Sequence, residues 1–135
     1  MMLTLPDQIS TTWMMNGIAL FLAKHLLADF LLQTKWMALG KERARGWLVP
    51  LTIHAAVHGA LTTAIFAVFA PPLAWIGAVD FAIHFTIDRS KAIIQQHYAL
   101  TTTKTGFWWL LGTDQTLHHI THLVFAIVLA TSQTL

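Results

Sequence analysis

The sequence predicts an all-α integral membrane protein, a four-helix bundle forming a single domain over residues 1–135. Three observations predict it. First, the chain is 56% hydrophobic and only 10% charged, with a mean hydropathy of +0.60. A soluble domain carries about a quarter charged residues, so this chain lacks the polar residues to cover itself in water. Second, four segments reach the roughly 20 residues that a bilayer crossing needs. Third, each of those segments carries ionisable side chains spaced four apart.

The first span is expected over 13–38, "WMMNGIALFLAKHLLADFLLQTKWMA". "LGKERARG" ends it with charge and glycine. The second is expected over 47–70, "WLVPLTIHAAVHGALTTAIFAVFA". "APP" at 70–72 breaks the chain, because proline cannot continue a helix. The third runs from Pro72 to about 96, and the fourth from about 114 to 132. Between them, Trp108 and Trp109 suit a short segment at the lipid–water boundary. "MMLTLPDQIS" has no basic region before its first apolar run, so a cleaved leader is not expected.

Charge orients the spans. Lys41, Arg43 and Arg45 lie in the first loop, and Arg89, Lys91 and Lys104 lie around the third connection. In a four-span protein these connections share one side. The positive-inside rule puts them in the cytoplasm and both termini outside. No cysteine is present, which excludes disulfides and thiolate ligands. The net charge of +2 is small and the basic residues form no stripe, so nucleic acid is not an expected partner.

The chemistry lies in the spacing. Span one has His25 and Asp29, span two His54 and His58, span three Asp80, His84 and Asp88, and span four Asp114, His118 and His122. Residues at i and i+4 share a helix face, so every span presents one polar stripe in an apolar surface. With alternating helix directions, all ten fall in the cytoplasmic half. An aspartate at a helix centre costs about 2.5–3.5 kcal/mol on insertion scales. Four uncompensated would cost on the order of 10 kcal/mol, comparable to a whole domain's stability. Two divalent cations would balance four carboxylates, with six imidazoles completing the shells. Ligands of this kind suit Zn, Mn or Fe. Bundles commonly build two-metal sites this way.

Around the stripes, His119 lies one residue off the face and is expected behind the ligands or at an interface, and His97 is expected to be solvated. Lys24 is expected to snorkel or to pair with an acid. Gln33, Lys91 and Gln115 lie near the cytoplasmic end, where they could bind substrate or orient ligands.

The stretches "HLLADFLLQTKWMA", "WLVPLTIHAAVHGALT", "DFAIHFTIDRSK" and "GFWWLLGTDQTLHHITH" resemble a family of small bacterial and phage membrane proteins without an assigned function, domain-of-unknown-function family 3307. The resemblance covers nearly the whole chain. It implies that His25, Asp29, Gln33, His54, His58, Asp80, His84, Asp88, Lys91, Asp114, Gln115, His118 and His122 are signature positions. It also implies a bacterial inner-membrane location. More loosely, the pattern is similar to membrane-bound proteins labelled metal-dependent hydrolases.

The leading functional expectation is a membrane-embedded metal-dependent hydrolase acting on a lipid or lipid-linked phosphate from the cytoplasmic leaflet. Paired metals would hold a phosphoryl oxygen and activate a water. Asp88 or Asp114 would take its proton, and Arg89 and Lys91 would attract the phosphate. Neither G-x-S-x-G nor H-E-x-x-H occurs. One alternative is a protein that binds or transports metal ions or protons without hydrolysis. Another is a membrane di-iron oxygenase, on the histidine clusters "HAAVH" and "LHHITH". A homodimer could form through small-residue faces such as "HGALTTA".

Overall fold

The computed structural model describes residues 6–134. Residues 1–5, which hold half of the stretch read as lacking a cleaved leader, lie outside them. Among the described residues the chain is all-helical, with no strand. Helix α1 spans Thr11–Leu26 and runs on into a π-helical turn, Leu27–Leu31. Helix α2 (Lys35–Gly40) is short. Three long helices follow: α3 (Leu48–Phe69), α4 (Ile76–His97) and α5 (Thr105–Thr134). A 3₁₀ turn, Pro71–Leu73, joins α3 to α4.

Local chemistry explains the boundaries. Ser10 Oγ accepts the Trp13 N–H at 3.3 Å and starts α1. The first segment departs from the expected single span over 13–38. Leu32 N–H bonds back five residues to the Leu27 carbonyl at 2.8 Å, which widens the last turn. Thr34 Oγ1 then accepts the Met37 N–H at 3.2 Å and starts α2 as a separate helix. The final segment departs more. It was expected to begin at about 114 after a separate interfacial piece, yet α5 is continuous from Thr105, and Trp108 and Trp109 sit exposed on it. Nothing interrupts it: Gly112 alone does not break a helix, and Thr113 and Thr116 turn their hydroxyls onto the carbonyls of Trp109 and Gly112 at 2.9 and 2.7 Å.

The four long helices pack side by side. α3 and α4 form an antiparallel hairpin, α5 lies against α1 and α4, and α1 touches α3. The hairpin closes where Gly59 meets Gly77. A Cβ at Gly77 would lie 1.8 Å from Thr63 Oγ1 and 2.5 Å from the Gly59 carbonyl oxygen. The glycine of "HGALTTA" is therefore used within the chain. Gly77→Ala should force the two helices apart and cost about 1–3 kcal/mol, read as earlier thermal unfolding. Gly112→Ala, with nothing within 4 Å, should be neutral or slightly stabilising. Equal effects of the two changes would contradict this account of the hairpin.

Polarity is arranged inside out. One end of the core is apolar, built from Phe21, Phe66, Ile76, Phe125, Ala126 and Leu129. The rest of the interior is rich in polar groups: Lys24, His25, His54, His58, Thr62, Asp80, His84, Asp88, Asp114, His118 and His122 are buried, alongside Ala28, Leu51, Ala55 and Ala92. Large apolar side chains such as Met15, Leu22, Phe30, Leu48, Val68, Val79, Ile93, Leu123 and Val124 face outward. By length and composition, two helices among the described residues can cross a membrane, Thr11–Leu31 and Leu48–Phe69. The all-helical architecture is as expected, while two of the four expected spans meet those terms. α4 carries Asp80, Asp88, Arg89 and Lys91, and α5 carries Asp114 and a run of histidines.

Candidate metal centre

The ten predicted ligands converge, and their contacts sort them into an inner and an outer group. The inner group is His25, His58, His84 and His122, one histidine from each long helix. Each offers a ring nitrogen within 4.8 Å of the other three. The rings pack face to face or tilted: His58 stacks on His84 at 3.7 Å, and His84 on His122 at 5.5 Å.

Each inner histidine ties one nitrogen to the protein and leaves the other without a partner. His84 Nδ1 donates to Asp80 Oδ1 at 2.7 Å. His58 Nε2 donates to Asp29 Oδ1 at 2.7 Å, and His25 Nε2 lies 3.1 Å from Asp29 Oδ2. His122 Nε2 lies 3.2 Å from Lys24 Nζ. The nitrogens left over are His25 Nδ1, His58 Nδ1, His84 Nε2 and His122 Nδ1, all buried. Buried polar atoms are nearly always bonded. The orphaned nitrogens of His25, His58 and His84 keep a lone pair, because a carboxylate takes the N–H on the other side of each ring, and so fit a cation. His122 joins them as a ligand when Lys24 gives up its contact with Nε2, since a neutral ring that accepts from an ammonium there carries its proton on Nδ1. A carboxylate behind a histidine also fixes its tautomer, as it does in metal sites.

Asp80 was expected among the ligands, and the structure gives it another position. Its Oδ1 holds His84, and its Oδ2 accepts from Lys24 Nζ at 2.7 Å and Thr62 Oγ1 at 2.5 Å. Both oxygens are engaged, so it stands behind the ligands and orients His84. Asp29 does the same for His25 and His58, although it also groups with His54 and His58 as a candidate ligand set. Of the two expectations for Lys24, pairing with an acid is the one observed.

The outer group is Asp88, Asp114 and His118. His118 Nε2 donates to Asp88 Oδ1 at 3.1 Å and lies 3.6 Å from Asp114 Oδ1. His54 Nε2 stands 3.4 Å from both Asp29 and Asp88, linking the groups. Asp88 Oδ2 accepts from Lys41 Nζ at 2.8 Å. Asp114 Oδ2 accepts from Gln115 Nε2 at 3.0 Å, while its buried Oδ1 has no hydrogen-bond partner.

These lysines change the charge balance. Asp29, Asp80, Asp88 and Asp114 bring −4, and Lys24 and Lys41 bring +2, so the centre carries −2. One divalent cation, rather than two, neutralises it. Lys91 is bonded to Glu42 at 2.8 Å and adds nothing to the balance.

The outer group forms one wall of a 420 Å³ cavity at the loop end of the bundle, lined also by Asp29, Gln33, Lys41, Glu42, Lys91 and Gln115. Gln33 Nε2 donates to the Asp29 carbonyl at 3.0 Å and leaves its Oε1 buried and free. Gln115 Oε1 reaches His25 Nε2 at 3.3 Å. Arg89, expected at this mouth, is held elsewhere. Its guanidinium lies 3.9 Å over the Trp47 ring and donates to the Arg43 carbonyl at 3.3 Å, because a flat cation is better satisfied by an aromatic face and a carbonyl. His119 is exposed, 4.9 Å from His25, and borders a 280 Å³ apolar recess between α1 and α5 with Ile18, Leu22 and Leu123. His97 is exposed against Tyr98. Sequence reasoning missed Lys41 as a site residue, because an isolated loop lysine carries no periodic signal. Thr62, one helical turn beyond His58, could have been found by extending the stripe of α3.

No curated protein and no solved structure matches the chain. Residues 18–135 match the family model described as protein of unknown function (DUF3307), and the chain belongs to that family.

Proposed function

We propose that the protein is a four-span bundle of the bacterial inner membrane whose buried centre hydrolyses a phosphate ester of a lipid or lipid-linked substrate. The inverted polarity supports the membrane reading. Lipid suits the apolar outer faces of all four long helices. Asp80, His84 and Asp88 on α4 and Asp114, His118 and His122 on α5 are buried inside, where ionisable groups in membrane bundles belong. Lys41, Arg43, Arg45, Arg89, Lys91 and Lys104 lie in or beside the loops at one end, which supports a cytoplasmic mouth.

The observation that carries the functional reading is the contrast between the two ends of the bundle core. The carboxylates of the outer group line the cavity, while Phe21, Phe66 and Phe125 seal the other end. A through-path for ions would need that plug to part, so the geometry favours an enzyme over a transporter. A divalent Zn, Mn or Fe ion held by the histidines and acids would polarise a phosphoryl oxygen and lower the pKa of a water. The chain's own residues supply the rest. Asp114 takes the water's proton on the carboxylate oxygen that does not ligate an ion. Asp88 is less suited to that role, being tied to Lys41 and His118. Lys41, Lys91, Gln33 and Gln115 face the cavity and bind phosphoryl oxygens. The apolar recess between α1 and α5 offers room for an acyl or isoprenoid chain.

The test is phosphate release from a lipid phosphate in mixed micelles by protein loaded with zinc or manganese. Turnover should stop on chelation, and Asp114→Asn should lower it roughly 10²–10⁴-fold without releasing the ion held by the histidines. A second reading is favoured by one specific feature. Four clustered imidazoles are enough donors for a tetrahedral shell, the coordination of structural zinc sites. Metal retained with no turnover on any phosphate ester would support that reading and reject the hydrolase.

A further inference from the structure

The inner and outer groups differ in each property that decides how an ion is held. The inner group offers four imidazoles, no carboxylate ligand and no exposed edge: His25, His58, His84 and His122 are 5%, 0%, 1% and 3% exposed. The outer group offers two carboxylates and one imidazole on the wall of a cavity. Asp114 is only 5% exposed, and its Oδ1, 3.6 Å from His118 Nε2, has no hydrogen-bond partner. A buried, unsatisfied carboxylate oxygen turned toward Asp88 and His118 is a ligand position.

We propose that these are two metal sites of unlike kind, with Lys41 standing in the outer one until a hard divalent cation and a phosphate-type anion arrive together. The proposal rests on the metal-centre reading above. Nitrogen donors hold the inner ion permanently, in the manner of zinc. Oxygen donors and an open cavity suit an exchangeable Mn²⁺ or Mg²⁺ outside.

Charge explains the coupling. With Lys24 and Lys41 in place and one inner ion bound, the centre is neutral (−4 + 2 + 2). A second divalent ion, with Lys41 still close, would bring it to +2. The ion therefore enters most readily when the Lys41 ammonium leaves Asp88 Oδ2, now 2.8 Å away, and when an anion fills the cavity. Lys41 can be exchanged for a cation that takes over Asp88, since its side chain is 14% exposed and at the edge of the site. It lies just beyond the short α2, on a flexible stem that already lines the cavity. An anion there would meet the displaced Lys41, Lys91 and the amides of Gln33 and Gln115.

Mn²⁺ titration of purified, detergent-solubilised protein after extensive dialysis tests this. The dialysed wild type should keep about one tightly held ion and bind Mn²⁺ reversibly at a second position. Lys41→Met should tighten that second site roughly tenfold, the effect of removing a like charge a few ångströms away. Asp114→Asn should abolish it and leave the retained ion untouched. Inorganic phosphate, or a short-chain lysophosphatidic acid, should tighten it. A stronger effect of the lipid would identify the anion as a headgroup, and an equal effect would identify it as free phosphate. The proposal is overturned if one retained ion is found with no second, if both are lost together in Asp114→Asn, if Lys41→Met weakens or leaves the second site unchanged, or if neither anion tightens it. A wild type that keeps no ion at all would overturn the metal centre itself.

Discussion

Replacing His84 by alanine should strip the tightly held ion from the purified protein. His84 is the best-anchored of the inner imidazoles. Its Nδ1 is fixed by Asp80 at 2.7 Å, and its ring is stacked between His58 at 3.7 Å and His118 at 4.3 Å. That leaves Nε2 as its only free lone pair, and it is buried without a partner. A structural zinc site contributes about 10–16 kcal/mol over four ligands. Losing one ligand should then cost roughly 3 kcal/mol, or about a hundredfold in affinity. Elemental analysis after dialysis should fall from about one ion per chain to a small fraction. His97→Ala, on the same helix but exposed at its end, should change nothing. Equal metal content in His84→Ala and wild type would remove His84 from the ligand set.

Lys24→Met should be the most destabilising single change in the polar core. The ammonium is 2% exposed and lies 2.7 Å from Asp80 Oδ2, and the carboxylate is fully buried. Without it, Asp80 keeps only Thr62 and His84 as partners. Breaking a buried ion pair by removing one member costs about 3–5 kcal/mol, which lowers the unfolding temperature by on the order of 10–20 °C. The double variant Lys24→Met/Asp80→Asn should recover much of that loss, because the stranded charge is gone. A lone Lys24→Met as stable as the wild type would mean that the lysine reaches polar surroundings and that the ion pair contributes little.

The sequence made the polar stripes legible because a four-residue spacing fixes a helix face whatever the helix packs against. Their convergence was legible from energy alone, since His54 or Asp88 turned toward lipid would be too costly. What periodicity cannot say is which lone pair a side chain uses. Asp80 shares the stripe of α4 with His84, yet it sits behind that ring as its hydrogen-bond partner. The charge count was incomplete for a similar reason. Lys24 is adjacent in sequence to a predicted ligand, and Lys41 lies in a loop, so neither announces that it neutralises an aspartate. Arg89 looked like a phosphate ligand by position, but the ring of Trp47 captured it. The π-helical turn at Leu27–Leu31 and the early start of α5 were also hidden, because both depend on backbone bonding that hydropathy does not encode.

The account depends on a cation bound by nitrogens from four separate helices. Anomalous diffraction from crystals of the purified protein, collected on both sides of the zinc, manganese and iron absorption edges, tests it most directly. The predicted result is a strong anomalous peak about 2.0–2.1 Å from one nitrogen each of His25, His58, His84 and His122, with Asp80 behind His84 and out of bonding range. Imidazoles turned away from one another around a region without any anomalous signal, in protein purified without chelators, would contradict it.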